Sequence, residues 1–222
     1  MTTKKTRHIE DPDLLINAGN PQGKLGEKLI NNMNVNHENL ARWGVGHLDI
    51  SKDAIVLDIG CGGGVNVKRF LGLTDNKVYG IDYSKLSVEK STQLNETEIE
   101  AGRCEIKQES VSEISFDNAT FDIITAFETV YFWPDFENDL KEVNRVLKEN
   151  GVFLICNEAL PKENDERQKE FIALLDCNIY SEEELINYLK KSGFSKVKAI
   201  IKESKDSFTG EDASWISVIA QK

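Results

Sequence analysis

The stretch Ile55-Val56-Leu57-Asp58-Ile59-Gly60-Cys61-Gly62-Gly63-Gly64 decides how this chain is read. It opens as an apolar run of the kind that forms a strand buried on both faces in the middle of a parallel sheet. It then breaks into glycines, giving Asp-x-Gly-x-Gly-x-Gly from Asp58 through Gly60, Gly62 and Gly64. Glycine accepts positive φ and lets a backbone approach a ligand with no Cβ between them. At the end of a strand and the start of a helix, such a loop suits close ligand contact. Without that context a glycine cluster is more often a plain turn.

The context follows. Val78-Tyr79-Gly80-Ile81-Asp82-Tyr83-Ser84 reads as a second short strand ending in an acid a little over twenty residues beyond Gly60. An acid at that offset in a βαβ unit can accept hydrogen bonds from both ribose hydroxyls of a nucleoside. The dinucleotide fingerprint Gly-x-Gly-x-x-Gly is not met from Gly60, because its third position is Val65.

Composition narrows the ligand class. The 222 residues fit a single domain, and 40% hydrophobic with 29% charged residues is ordinary globular composition. A formal charge of -11 repels phosphate backbones and anionic bilayers, so a small molecule is expected rather than nucleic acid or membrane. Cys61, Cys104, Cys156 and Cys177 lie far apart with no Cys-x-x-Cys pair, which argues against a zinc site or a disulfide framework. No metal is expected. Without a signal-peptide core or a membrane-length apolar run, the chain is expected to be cytoplasmic; its oligomeric state is left open.

Along the chain, residues 1 to about 20 show no periodicity and read by default as a disordered tail, with a strap over the site as the alternative. Apolar spacing predicts helices over Lys24 to Met33 and Asn36 to Leu48. On the second, His37 and His47 lie roughly 80° apart at about 100° per residue, a loosely shared face around Trp43. Ser84 is a helix N-cap with the helix running to about Gly102, and Cys104 to Gln108 is the third strand. Phe121 to Phe127 is the fourth, opening at Ala126, Phe127 and Glu128 toward a ligand crevice. Pro134 to Lys148 reads as a helix ended by Gly151, and Val152 to Asn157 as the fifth strand. Pro161 to Lys169 is a charged loop. Ser181 to Glu184 is a capping box, and Lys196 to Glu203 with Trp215 to Ala220 are two closing strands.

Val56 to Gly64 with Val78 to Ser84 resembles the first two motifs of class I S-adenosylmethionine-dependent methyltransferases. The resemblance continues in Phe121-Asp122-Ile123-Ile124, in Arg145 to Gly151, and in Glu183-Glu184-Leu185 leading to Gly193-Phe194, about two-thirds of the chain. It implies an α/β, Rossmann-like, doubly wound sheet of seven strands in the order 3-2-1-4-5-7-6, the last strand antiparallel. Residues 1–50 would form a tail and two cap helices over the site, and 51–222 the methyltransferase domain. S-adenosyl-L-methionine would be the cofactor and a small molecule the methyl acceptor.

For the site, the resemblance implies that Gly60, Cys61, Gly62 and Gly64 meet the methionyl end and Asp58 its amino group. Asp82 would hold the ribose and Tyr83 the adenine face, with Ala126 and Phe127 on the facing wall. Glu109 with Ser110 stands where relatives meet the adenine amino group, and a solvated loop glutamate is the competing reading. Of five aromatics from Phe127 to Phe136, Phe132 and Trp133 are expected to pack as a pair in the core. The rest would attract a sulfonium through their ring faces, at ~0.5–2 kcal/mol each. Methyl transfer from a sulfonium needs alignment more than acid–base help. His37 and Tyr131 are the candidates for acting on an acceptor, against readings as a rim residue and a pocket wall. Two other functions compete: a catalytically silent binder of the cofactor, and an NAD-dependent oxidoreductase, which Val65 and the closing strand pair oppose.

Overall fold

A computed structural model of the protein describes residues 12–207 and 209–222. At its centre β1 (Val56–Ile59) is buried at every position and pairs in parallel with β2 (Val78–Asp82) on one side and β4 (Phe121–Phe127) on the other. Outside β2 lies β3 (Cys104–Gln108), and outside β4 lies β5 (Leu147–Asn157). The chain closes with β6 (Ser195–Lys205) and β7 (Asp212–Gln221), the latter inserted antiparallel between β5 and β6. The order is 3-2-1-4-5-7-6, as the family resemblance implies.

Successive strand residues point to opposite faces, so the apolar runs feed two cores. Leu57, Ile59, Ile124 and Phe153 face α7 (Phe136–Val146) and α9 (Glu182–Lys191). Val56, Ile123 and Leu154 face the other way, toward α3 (Glu38–Val45) and α4 (Val65–Leu71). The remaining helices are α1 (Pro12–Leu15), α2 (Gly23–Asn36), α5 (Lys85–Leu94), α6 (Glu96–Glu100) and α8 (Glu166–Leu175). Among the described residues, no helix is long and apolar enough to cross a membrane.

Local signals set most boundaries. Ser84 caps α5 by accepting from the Ser87 N–H, and Ser181 with Glu184 forms the expected capping box on α9. Four expectations are corrected. The helix before the fifth strand ends at Val146, because the backbone from Leu147 onward is drawn into the sheet: Leu147 pairs with Phe121, and Gly151 accepts from the Lys222 N–H. The helix from Ser84 breaks at Asn95, whose side-chain amide donates to the Gly64 and Ser91 carbonyls. The charged segment after Pro161 turns helical at Glu166, where Asp165 accepts from the Arg167 and Gln168 N–H groups. Residues 12–20 are structured, against the default of a disordered tail; the part of that expectation falling on residues 1–11 lies outside the described residues.

Candidate active site

The carboxyl ends of β1, β2 and β4 open on a cleft of about 870 Å³, its solvent-open mouth included. This is the crevice in which open α/β sheets bind ligands. Its floor is the glycine loop between β1 and α4, and its sides are Asp82 and Tyr83 after β2 and Phe127 to Thr129 after β4. Its roof is α2, the start of α3 and the chain at Ala18 to Pro21.

Asp82 organises the floor. It is 8% exposed; its Oδ2 accepts from the Gly62 N–H at 2.9 Å and its Oδ1 from the Ser84 N–H at 2.8 Å. Burial pushes its pKa up, opposed by those two backbone bonds and by Ser87. Each carboxylate oxygen keeps acceptor capacity, so a diol in the cleft can donate to both. Gly62 holds φ +51°, and a Cβ there would meet nothing within 4 Å, so the loop leaves open space where a ligand's chain must pass. An adenosyl group bearing an amino-acid tail fits these features.

The roof is tied down on the same side. The Tyr83 hydroxyl donates to the Gly19 carbonyl, and Ser84 Oγ to the Pro21 carbonyl at 2.9 Å. Lys90 on α5 pairs with Glu27 on α2. A Cβ at Gly19 would come within 3.1 Å of the Phe132 ring, so the strap lies over that aromatic.

Of the residues singled out from sequence, Gly60, Cys61, Gly62, Asp82, Tyr83, Phe127 and His37 line the cleft. Others do not. Asp58 is 2% exposed inside the sheet and accepts from Thr125 Oγ1 at 2.7 Å; burial pushes its pKa up to about 7. Ala126 points into the opposite core. Gly64, at φ +81°, packs α4 against α5, since a Cβ there would lie 2.4 Å from Ser91 Oγ. Glu109 turns to the Ser115 N–H and hydroxyl, and neither it nor Ser110 lines the cleft. Phe132 and Trp133 part company: Phe132 lines the cleft, while Trp133 stacks on Phe153 at 6.2 Å. His37 sits at the junction of α2 and α3, whereas His47 lies beyond α3, edge-on to Trp43 with ring centroids 5.0 Å apart. The two share no face.

Tyr131 is buried behind the wall and donates to Glu128 Oε1 at 3.3 Å. Sequence reasoning placed that acceptor at the crevice but gave it no role. Glu128, with backbone φ +55°, lines the cleft, and its Oε1 also accepts from the Glu158 N–H. Glu158 Oε1 lies 3.5 Å from His37 Nε2, and its Oε2 accepts from the Ser207 N–H at 3.0 Å. Glu128 and Glu158 each follow a parallel strand directly, and the rule that ligands bind beyond carboxyl strand ends was the available signal. Asn34 on α2, beside Gly63, had no such signal.

Residues 57–155 match the protein family described as a methyltransferase domain. The chain is 29% identical over 126 residues to the sterol 24-C-methyltransferase of Aspergillus fumigatus, covering 55% of this chain and 33% of that enzyme. It is 27% identical over 165 residues to an O-methyltransferase of Aspergillus sclerotiorum, covering 73% of this chain and 62% of that one. It thus spans less than two thirds of either relative's length. Phosphoethanolamine N-methyltransferase 2 of Haemonchus contortus, solved with phosphomonomethylethanolamine and S-adenosylhomocysteine, aligns with a TM-score of 0.75 at 16% identity, covering 88% of this chain and 57% of that one. That likeness is one of fold. The strand order and the sequence match across β1 to β5 lead to the same place: residues 57–155 are similar to a methyltransferase domain, carried on the Rossmann-like sheet of class I S-adenosylmethionine-dependent methyltransferases.

Proposed function

We propose that this chain transfers a methyl group from S-adenosyl-L-methionine to a small-molecule acceptor. The observation that carries the reading is the Asp82 carboxylate, fixed by the Gly62 and Ser84 N–H groups at the rim of a cleft over the β1 glycine loop. The bound cofactor would supply an electrophilic methyl on a positively charged sulfur. Asp82 would hold the ribose hydroxyls, the Gly60 to Gly63 backbone the amino-acid tail, and Tyr83 the adenine face. Phe127 and Phe132 would flank the charged sulfur with their rings. Residues 1–50 would act as the cap and 51–222 as the transfer domain. Alignment in such a site can supply ~7–11 kcal/mol of the barrier. The net charge of -11 and the small-molecule enzymes among the relatives support a small acceptor. Four buried, free cysteines suit a reducing, cytoplasmic compartment.

Isothermal titration with S-adenosylmethionine and S-adenosylhomocysteine tests the reading, and both should bind. Asp82→Ala removes the charged acceptor and should weaken binding by about 10- to 100-fold. No binding of either compound at millimolar concentration overturns the proposal. Methylated product from an acceptor panel separates an enzyme from a silent binder.

A further inference from the structure

His37, Glu128 and Glu158 bring three polar side-chain atoms within 4.8 Å of one another beyond the β4 and β5 termini, where His37 and Glu128 line the cleft. They come from separate elements: the α2–α3 junction and the ends of two parallel strands. Glu158 is held on both oxygens, by Ser207 on Oε2 and beside His37 on Oε1. Glu128 is held on one. The Tyr131 hydroxyl and the Glu158 N–H both bond its Oε1, so among the described residues its Oε2 is left for a ligand.

The geometry points to Glu128 as the proton acceptor for a hydroxyl of an aromatic methyl acceptor, with His37 and Glu158 as its positioning residues. This rests on the methyl-transfer reading and adds to it the acceptor class. Burial and the neighbouring Glu158 push Glu128 up, which makes its carboxylate a stronger base than an exposed one. Burial opposes charge on His37, but its bond to Glu158 and the charges of Glu128, Glu158 and Asp206 outweigh that and raise it. Tyr131 and Cys156, the other titratable groups facing the carboxylates, are both pushed up and stay neutral. The open Oε2 of Glu128 in a cleft also lined by Phe127 and Phe132 suits an aromatic hydroxyl that donates to it.

In the step, the acceptor O–H bond breaks and its proton passes to the Glu128 carboxylate, giving the carboxylic acid. The oxygen lone pair forms the new O–CH₃ bond. The methyl–sulfur bond breaks with its electron pair on sulfur, leaving a neutral thioether, and Glu128 returns its proton to solvent after product release. A base whose pKa lies near working pH is matched to this task.

4-Nitrophenol, whose phenolate absorbs apart from the phenol, tests the assignment on protein saturated with S-adenosylhomocysteine. Bound to wild type, the probe should be ionised at a pH about tenfold lower in hydroxide than free probe requires. Glu128→Gln should abolish that shift and Glu128→Asp restore part of it. With S-adenosylmethionine, methylation of the probe should rise with pH as Glu128 ionises, and lose that dependence in Glu128→Gln. His37→Gln should displace the pH profile and lower kcat with KM little changed, and it covers the case in which Glu128→Gln does not fold. Absence of probe binding, an equal shift in Glu128→Gln, or an unmoved His37→Gln profile overturns the inference. Methylation abolished by EDTA and restored by magnesium would also overturn it, in favour of a cation site. Failure of wild type to bind S-adenosylhomocysteine instead strikes the methyl-transfer reading itself.

Discussion

Asp58 on β1 and Thr125 on β4 are register partners, and the Thr125 hydroxyl donates to Asp58 Oδ1 at 2.7 Å in the interior of the sheet. The bond holds an acid that burial has pushed from 3.8 to about 7. Its folded-state pKa is raised, so between these values the native state keeps a proton that the unfolded chain has lost. Stability therefore falls as pH rises from about 4 to about 7 and is flat above. At about 1.4 kcal/mol per pKa unit the full penalty is of order 4 kcal/mol. Asp58→Asn should flatten this part of the stability profile without abolishing it, since Asp82 and Glu128 are raised in the same sense. Urea midpoints at intervals between pH 4 and 8 measure it; an unchanged slope would refute it.

The glycine loop separates two roles that its spacing presents as one. A Cβ at Gly64 would sit 2.4 Å from Ser91 Oγ and 2.8 Å from Ser91 Cα, at a φ of +81°. Left-handed strain of ~1–2 kcal/mol plus overpacking of ~1–3 kcal/mol should make Gly64→Ala destabilising by about 3 kcal/mol. At Gly62 the added methyl meets open space, so Gly62→Ala should cost only the strain, about 1–2 kcal/mol. Its methyl would occupy the cleft, so its larger effect should be on S-adenosylhomocysteine affinity. Denaturation and calorimetry on the pair should rank them oppositely.

Arg145 pins the loop between β3 and β4. Its guanidinium donates to the Ile114 and Phe116 carbonyls, each at 2.8 Å, while Glu142 holds it from the same helix and accepts from the Ile114 N–H at 3.1 Å. Removing the fork leaves partly buried carbonyls unpaired, at ~1–3 kcal/mol each. Arg145→Ala should lower stability by about 2–4 kcal/mol, and Arg145→Lys should recover less than half, because an ammonium cannot span both carbonyls. Donor-product affinity should stay within about twofold of wild type, the loop being outside the cleft.

What could be read from the chain was whatever one local segment encodes. The β1 run, the glycine loop and Asp82 are short-range patterns with a mechanism at each position, and they placed one wall of the cleft, while the sheet order followed from the family resemblance they carry. Residues whose orientation depends on a partner strand were misread. Asp58 and Ala126 stand in the right segments, yet the pleat sends one into the sheet beside Thr125 and the other into the far core. Leu147 and Lys148 looked helical because the β4 edge and Lys222 that draw this segment into the sheet are remote in sequence. The Glu128, Glu158 and His37 cluster joins three such elements. No single window contains it.

Tyr83 ties the strap to the Asp82 side of the cleft through its hydroxyl on the Gly19 carbonyl. Burial and the Asp82 charge push that phenol up to about 12, so it remains a donor throughout the working pH range. The side chain is 45% exposed, so the bond stabilises the fold little, and Tyr83→Phe should leave the melting temperature close to wild type. Its effect belongs to the opening of the roof. A net ~0.5–1.5 kcal/mol lost from the closed state should speed S-adenosylhomocysteine release about three- to tenfold. Stopped-flow displacement measures the rate, and limited proteolysis within residues 12–21 should accelerate in parallel. Release at the wild-type rate with faster proteolysis would mean that the strap opens without gating the cleft. Both unchanged would mean that the Ser84 to Pro21 bond alone holds it.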